Sequence, residues 1–115
     1  MGWNILAGRK KEKMGYCEYV YALRDIAHVL DPEHEAEFDK LHQITPNEWS
    51  NTSRQFKPEL RLLCCASDIS PTYTPNEAKR IADFLEKITT PTERVKKLQN
   101  IFFYARRYRA NVYFI

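Results

Sequence analysis

The chain has 115 residues, 43% of them hydrophobic and 29% charged, with a formal net charge of +3. That length suits one domain with core enough to fold without a disulfide or metal, and the composition is that of a globular rather than a disordered chain. The odd cysteine set, Cys17 and the adjacent Cys64 and Cys65, excludes a spaced disulfide framework, and no apolar run reaches the roughly 18 residues of a membrane span; together these read as buried, reduced thiols in a cytoplasmic protein without membrane association.

Residues 1–13 place an apolar patch before a basic one, Arg9, Lys10, Lys11 and Lys13 against Glu12, which is the reverse of a signal peptide. Leu6 stands where a myristoylation signal needs Ser or Thr. The segment reads as a basic N-terminal arm, disordered or ordering on phosphate, ahead of a helical domain over 14–115. All three glycines (Gly2, Gly8, Gly15) lie in the first fifteen residues, and their absence thereafter argues against a turn-rich β fold.

Helix one is expected over Tyr16–Leu30, where Tyr16, Tyr19, Val20, Leu23, Ile26, Ala27 and Leu30 recur at intervals of three and four. An acidic helix two follows over 32–43, with Ala36, Phe38 and Leu41 as its apolar positions. Helix three starts at Pro46, carries Trp49 and Phe56, and should end or kink before Pro58. Leu60 to Ala66 form a short apolar fourth helix, and 68–73 a loop. Helix five is expected over 75–88 and helix six from Pro91. The starts share a pattern, Thr45-Pro46-Asn47-Glu48, Thr74-Pro75-Asn76-Glu77 and Thr90-Pro91-Thr92-Glu93, in which threonine caps, proline presets φ and glutamate closes a capping box. Asp31-Pro32 is a fourth start, with His34 in place of the glutamate. Residues 111–115 are apolar and β-prone; they extend helix six, tuck into the core or pair elsewhere. The fold class expected is all-α, a single-domain bundle of five or six short helices.

Chemistry-bearing motifs are few. His28, His34 and His42 with Glu35 and Asp39 form no HExxH, and Cys64-Cys65 lacks a chelating gap, so neither metal nor cofactor is expected. Helix three, with Asn47, Ser50, Asn51, Ser53, Arg54, Gln55 and Lys57, permits a helix-turn-helix reading, against which stand the missing turn glycine and the acidic helix before it. Arg24 and His28 stand one helical turn apart, and Cys17 lies some 16 Å from His28 by the helical rise, too far for a nucleophile and its base. No glycine-rich phosphate loop exists, and catalysis is not expected.

Charge is unevenly spread. Residues 14–48 hold eight acids against two bases, residues 49–115 hold twelve bases against six acids, and no acid follows Glu93. On helix six Val95, Leu98, Ile101, Phe102, Ala105 and Tyr108 make the inner stripe, and Lys96, Asn100, Phe103 and Arg107 lie opposite. The expected function is a small regulatory nucleic-acid-binding protein. Arg94, Lys96, Lys97, Arg106, Arg107 and Arg109 would hold phosphates of DNA or RNA, and Phe103 and Tyr104 would stack on bases. The alternative is a protein-binding inhibitor or adaptor, of viral or mobile-element type, acting by stoichiometric complex formation with a protein partner. A two-fold contact through the same face would make helix six a homodimer element.

Overall fold

In a computed structural model covering the chain, residues 2–44, 48–49, 56–64 and 72–115 are described. Strand β1 (Gly2–Ala7) pairs with β2 (Lys10–Gly15) as an antiparallel hairpin running from Ala7↔Lys10 to Gly2↔Gly15. The two-residue turn is Gly8-Arg9. Gly8 takes φ +56°, the positive value that a tight hairpin turn with glycine first requires. The segment read as a separate basic arm is thus part of the domain. Trp3, Ile5, Ala7 and Met14 alternate into the core and are all buried.

Helix α1 spans Tyr16–Leu30, as its periodicity predicts. A 3-10 helix follows over Pro32–Gln43, the extent expected but the tighter helix type. Asp31 does not cap it through its side chain. The buried carboxylate instead accepts His34 Nδ1 at 2.9 Å and the Lys57 amide at 3.2 Å, while the His34 amide donates to the Asp31 carbonyl at 3.1 Å, an i→i+3 bond. Helix three lies mostly outside the described residues, along with Thr45, Asn47, Ser50, Asn51, Ser53, Arg54, Gln55 and Cys65. Pro58 opens helix α2 (Pro58–Cys64), where a missing N–H costs nothing, and the end expected for helix three before it lies outside the described residues.

Strand β3 (Thr72–Tyr73) leads into α3 (Pro75–Leu85), which carries the expected capping box: the Glu77 amide donates to Thr74 Oγ1 at 3.3 Å and the Thr74 amide to Glu77 Oε1 at 3.0 Å. Helix α4 (Glu93–Tyr108) is capped by Thr92, not by Thr90. The Thr92 hydroxyl accepts the Val95 amide at 3.4 Å and donates to Asp25 Oδ2 at 2.7 Å, so a tertiary bond to α1 selects the later threonine. Strand β4 (Val112–Phe114) then settles the open path of the last residues.

The sheet order is β2-β1-β4-β3, antiparallel throughout, with Ile5↔Phe114, Leu6↔Tyr113, Thr72↔Tyr113 and Tyr73↔Val112 in register. Asn4 and Ile115 exchange both backbone bonds at 2.9 Å. The fold is therefore α+β, and the all-α helical bundle expected from the sequence is wrong. Scarcity of glycine misled because this sheet needs only one tight turn; its other strands are joined through helices.

Among the described residues, α1, α3 and α4 pack on the sheet face that carries the buried side chains. Trp3 anchors that side, its ring meeting Tyr16, Tyr19, Trp49 and Phe114 edge-on at centroid distances of 4.5 to 5.8 Å. The polar ends of buried rings are satisfied: Tyr19 Oη donates to the Leu63 carbonyl at 2.6 Å, Trp49 Nε1 to the Leu41 carbonyl at 3.0 Å, and Tyr73 Oη to the Leu62 carbonyl. Gln99, not foreseen as a core residue, is buried on α4 and donates to the Leu85 and Ile88 carbonyls at 3.0 and 3.3 Å, which closes the end of α3. Cys64 is buried, whereas Cys17, expected to be buried, is exposed.

Candidate nucleic-acid interface

The predicted basic face of the last helix is largely neutralised by the chain itself. Arg94 meets Asp25 at 3.1 Å and lies over the Tyr21 ring at 5.2 Å. Lys96 pairs with Glu93 at 3.4 Å, and Lys97 with Glu18 at 2.8 Å while also donating to the Lys13 carbonyl. Arg106 clamps α4 onto α3, reaching Asp83 and Glu86 at 2.9 Å each. Its hydrogen bonds to Glu86 and then Asp83 raise its own pKa, and Arg106 followed by Lys79 holds the Asp83 carboxyl below the ordinary aspartate range. Phe103 is half-buried against the core beneath the Arg106 guanidinium, 5.1 Å from its ring. Of the six bases expected to hold phosphate, only Arg107 and Arg109 lack an acidic partner among the described residues.

Those two stand at one corner with bases from the hairpin. Helix α4 runs along β2: Lys97 touches Lys13, the Asn100 amide points at Glu12, and Tyr104 reaches Gly8. The last turn therefore emerges beside the Gly8-Arg9 turn. Tyr104 packs on Tyr108 with centroids 4.6 Å apart, and the Arg107 guanidinium lies 5.4 Å from the Tyr108 ring centroid. Tyr108, assigned to the inner stripe from the wheel, is 58% exposed. Arg109 ends the helix with φ +53°, a conformation glycine usually supplies, and the Ala110 amide closes the turn on the Ala105 carbonyl at 3.0 Å.

Arg9, Lys10, Lys11, Lys13, Arg107 and Arg109 thus lie along one corner and its adjoining strand, none paired to an acid among the described residues. The remaining bases without an acid, Lys57, Arg61, Arg80 and Lys87, lie on or beside α2 and α3. Two arginines at the end of α4 also sit at the negative pole of its dipole, which favours them there before any ligand arrives. The hairpin bases were visible in the sequence as a basic segment; their junction with Arg107 and Arg109 depended on the sheet.

The histidines do not assemble. His28 Nδ1 meets Glu35 at 3.0 Å, His34 meets Asp31, His42 packs on Tyr21, and Asp39 is taken by Arg24 at 3.1 Å. Among the described residues no three His, Cys, Asp or Glu side chains are placed to hold a metal ion. A groove of about 580 Å³ lies at the other end of α4, lined by Tyr21, Asp25, His28, Val29, Ile88 and Arg94 among others. No described helix is long and apolar enough to cross a membrane. No protein-family model, curated protein or solved structure matches the chain.

Proposed function

We propose that this domain is a nucleic-acid-binding protein whose contact surface is the corner where the β1–β2 hairpin meets the end of α4. The observation that carries the reading is the sorting of charge. Arg94, Lys96, Lys97 and Arg106 pair with acids of the same chain, whereas Arg107 and Arg109, near Arg9, Lys10 and Lys11, have no acidic partner among the described residues. A cluster of guanidinium and ammonium groups without acidic partners attracts a polyanion and releases its counterions on binding. Tyr104 and Tyr108 supply rings within the same cluster. The DNA or RNA ligand is held by Arg9, Lys10, Lys11, Arg107 and Arg109, and Arg94 and Arg106 act in the fold.

The test is a fluorescent-oligonucleotide titration at several salt concentrations. Arg107→Glu with Arg109→Glu should weaken binding more than tenfold and flatten its salt dependence, and Arg94→Ala should leave both nearly unchanged. An absence of binding at low salt to both DNA and RNA ends this reading.

The rival, a protein-binding inhibitor or adaptor, has one observation in its favour. Tyr21 and Val29 are exposed apolar side chains on the groove at the far end of α4. A stoichiometric complex that survives nuclease treatment and is lost in Val29→Asp would support it.

A further inference from the structure

An antiparallel sheet with helices on one side ordinarily turns polar residues toward water on the other. Here the open face departs from that rule at its centre. One row crosses all four strands as Lys11, Leu6, Tyr113 and Thr72, and the next row is Lys13, Asn4 and Ile115. Tyr113 is 39% exposed and Ile115 67% exposed, with Leu6 half-buried between Tyr113 and Lys11. The Tyr113 phenol accepts a hydrogen bond from Asn111 Nδ2 at 3.1 Å, which fixes the ring's direction. No acid occupies this face among the described residues; Glu12 is on the alternate set and points toward α4.

The charge decides what covers these apolar groups. A second copy of the chain, face to face, would bring Lys11 and Lys13 against their equivalents with no acid to offset them. A polyanion with apolar planar groups matches both features. In a duplex the base faces are stacked internally and offer Tyr113 nothing to stack on, whereas a single strand can present them. Lys11 lies two strands from Tyr113, about 10 Å at the usual strand spacing, a span its flexible stem can reduce. Toward the hairpin turn the same face adjoins the basic corner, from Lys11 to Arg9 along β2 and from Tyr113 through Asn111 to Arg109 along β4.

We infer that the open sheet face is a platform for single-stranded nucleic acid, with a base stacked on Tyr113 and the backbone held by Lys11 and Lys13. This rests on the nucleic-acid reading above and names the strand state and the stacking residue. The experiment is fluorescence anisotropy of the full chain with oligo-dT, oligo-rU and a mixed-sequence DNA duplex of equal length. Single strands should bind at least tenfold more tightly than the duplex. Tyr113→Ala should weaken single-strand binding at least fivefold and leave duplex binding unchanged, while Tyr113→Phe should retain it. Should Tyr113→Ala fail to fold, Lys11→Ala with Lys13→Ala at exposed positions and photocrosslinking of wild type to 5-iodouridine RNA give independent answers. A crosslink at Tyr113 supports the platform. Equal single-strand and duplex affinity, insensitive to these substitutions, overturns it and leaves the corner standing. No binding to any oligonucleotide overturns both, and a Tyr113-dependent dimer in sedimentation replaces the platform with self-association. The dT and rU arms separate DNA from RNA.

Discussion

The Tyr104 ring lies against Gly8, its Cε1 3.0 Å and its hydroxyl 3.3 Å from the place a β-carbon on that glycine would occupy. The hairpin turn is thus held both by its own backbone and by the side of α4. Gly8→Ala must accept a left-handed φ and displace the ring, and the first of these alone costs about 1–2 kcal/mol. It is expected to lower the midpoint of urea unfolding by a corresponding amount. Tyr104→Ala in the Gly8→Ala background should recover only the steric part, so a double-mutant cycle in denaturation separates the two causes.

Arg109 gives a prediction in which stability and binding move in opposite directions. Arginine at φ +53° is less comfortable than glycine at a helix end. Arg109→Gly should raise stability by up to about 1 kcal/mol, after allowing for the larger freedom of glycine in the unfolded chain. It should also weaken oligonucleotide binding and reduce the salt slope by about one. Reduced stability with unchanged binding would contradict both roles given to this residue.

The capping threonines can be told apart directly. Thr92→Ala removes the bond to the Val95 amide and the bond to Asp25, and is expected to cost about 1 kcal/mol or somewhat more. Thr90→Ala should fall within a few tenths of wild type, because that residue is exposed and caps nothing. Thermal unfolding of the two variants side by side reads the difference.

Acid should loosen the clamp between α3 and α4. The Asp83 carboxyl is held below the ordinary aspartate range, first by Arg106 and then by Lys79. Its contribution to stability is present above the unfolded-state pKa of about 4 and is lost as the pH falls through the lower, folded-state value. The side chain is about half exposed, so the contribution is discounted to under about 1 kcal/mol. Asp83→Asn should be less stable than wild type at neutral pH, and in urea titrations the gap should close as the pH falls below the ordinary aspartate range.

Much of the helical framework was legible in the sequence. Regular spacing placed α1 at Tyr16–Leu30, Asp31-Pro32 started the helix over Pro32–Gln43, and the Thr74–Glu77 box started α3. The sheet was not, for physical reasons. Strands β3 and β4 are two and three residues long, too short to show alternation, and the core positions of β1 were masked by the basic residues that follow. The ion pairs of the last helix were hidden for a related reason. The sequence offers Arg94, Lys97 and Arg106 as bases of the last helix, but Asp25, Glu18, Asp83 and Glu86 come from other elements, and only the tertiary structure reveals that they meet.

The position of β4 between β1 and β3 also sets an order of events. Ile5 pairs with Phe114, so β1 must wait for a partner more than a hundred residues further along the chain. Local contacts can form the hairpin and α1 early, but the inner edge of β1 stays unpaired until Val112–Phe114 are made and docked. During synthesis the domain is consequently an incomplete sheet with an adhesive edge. Removal of Val112–Ile115 would leave it permanently in that state, able to pair with the same edge of another molecule.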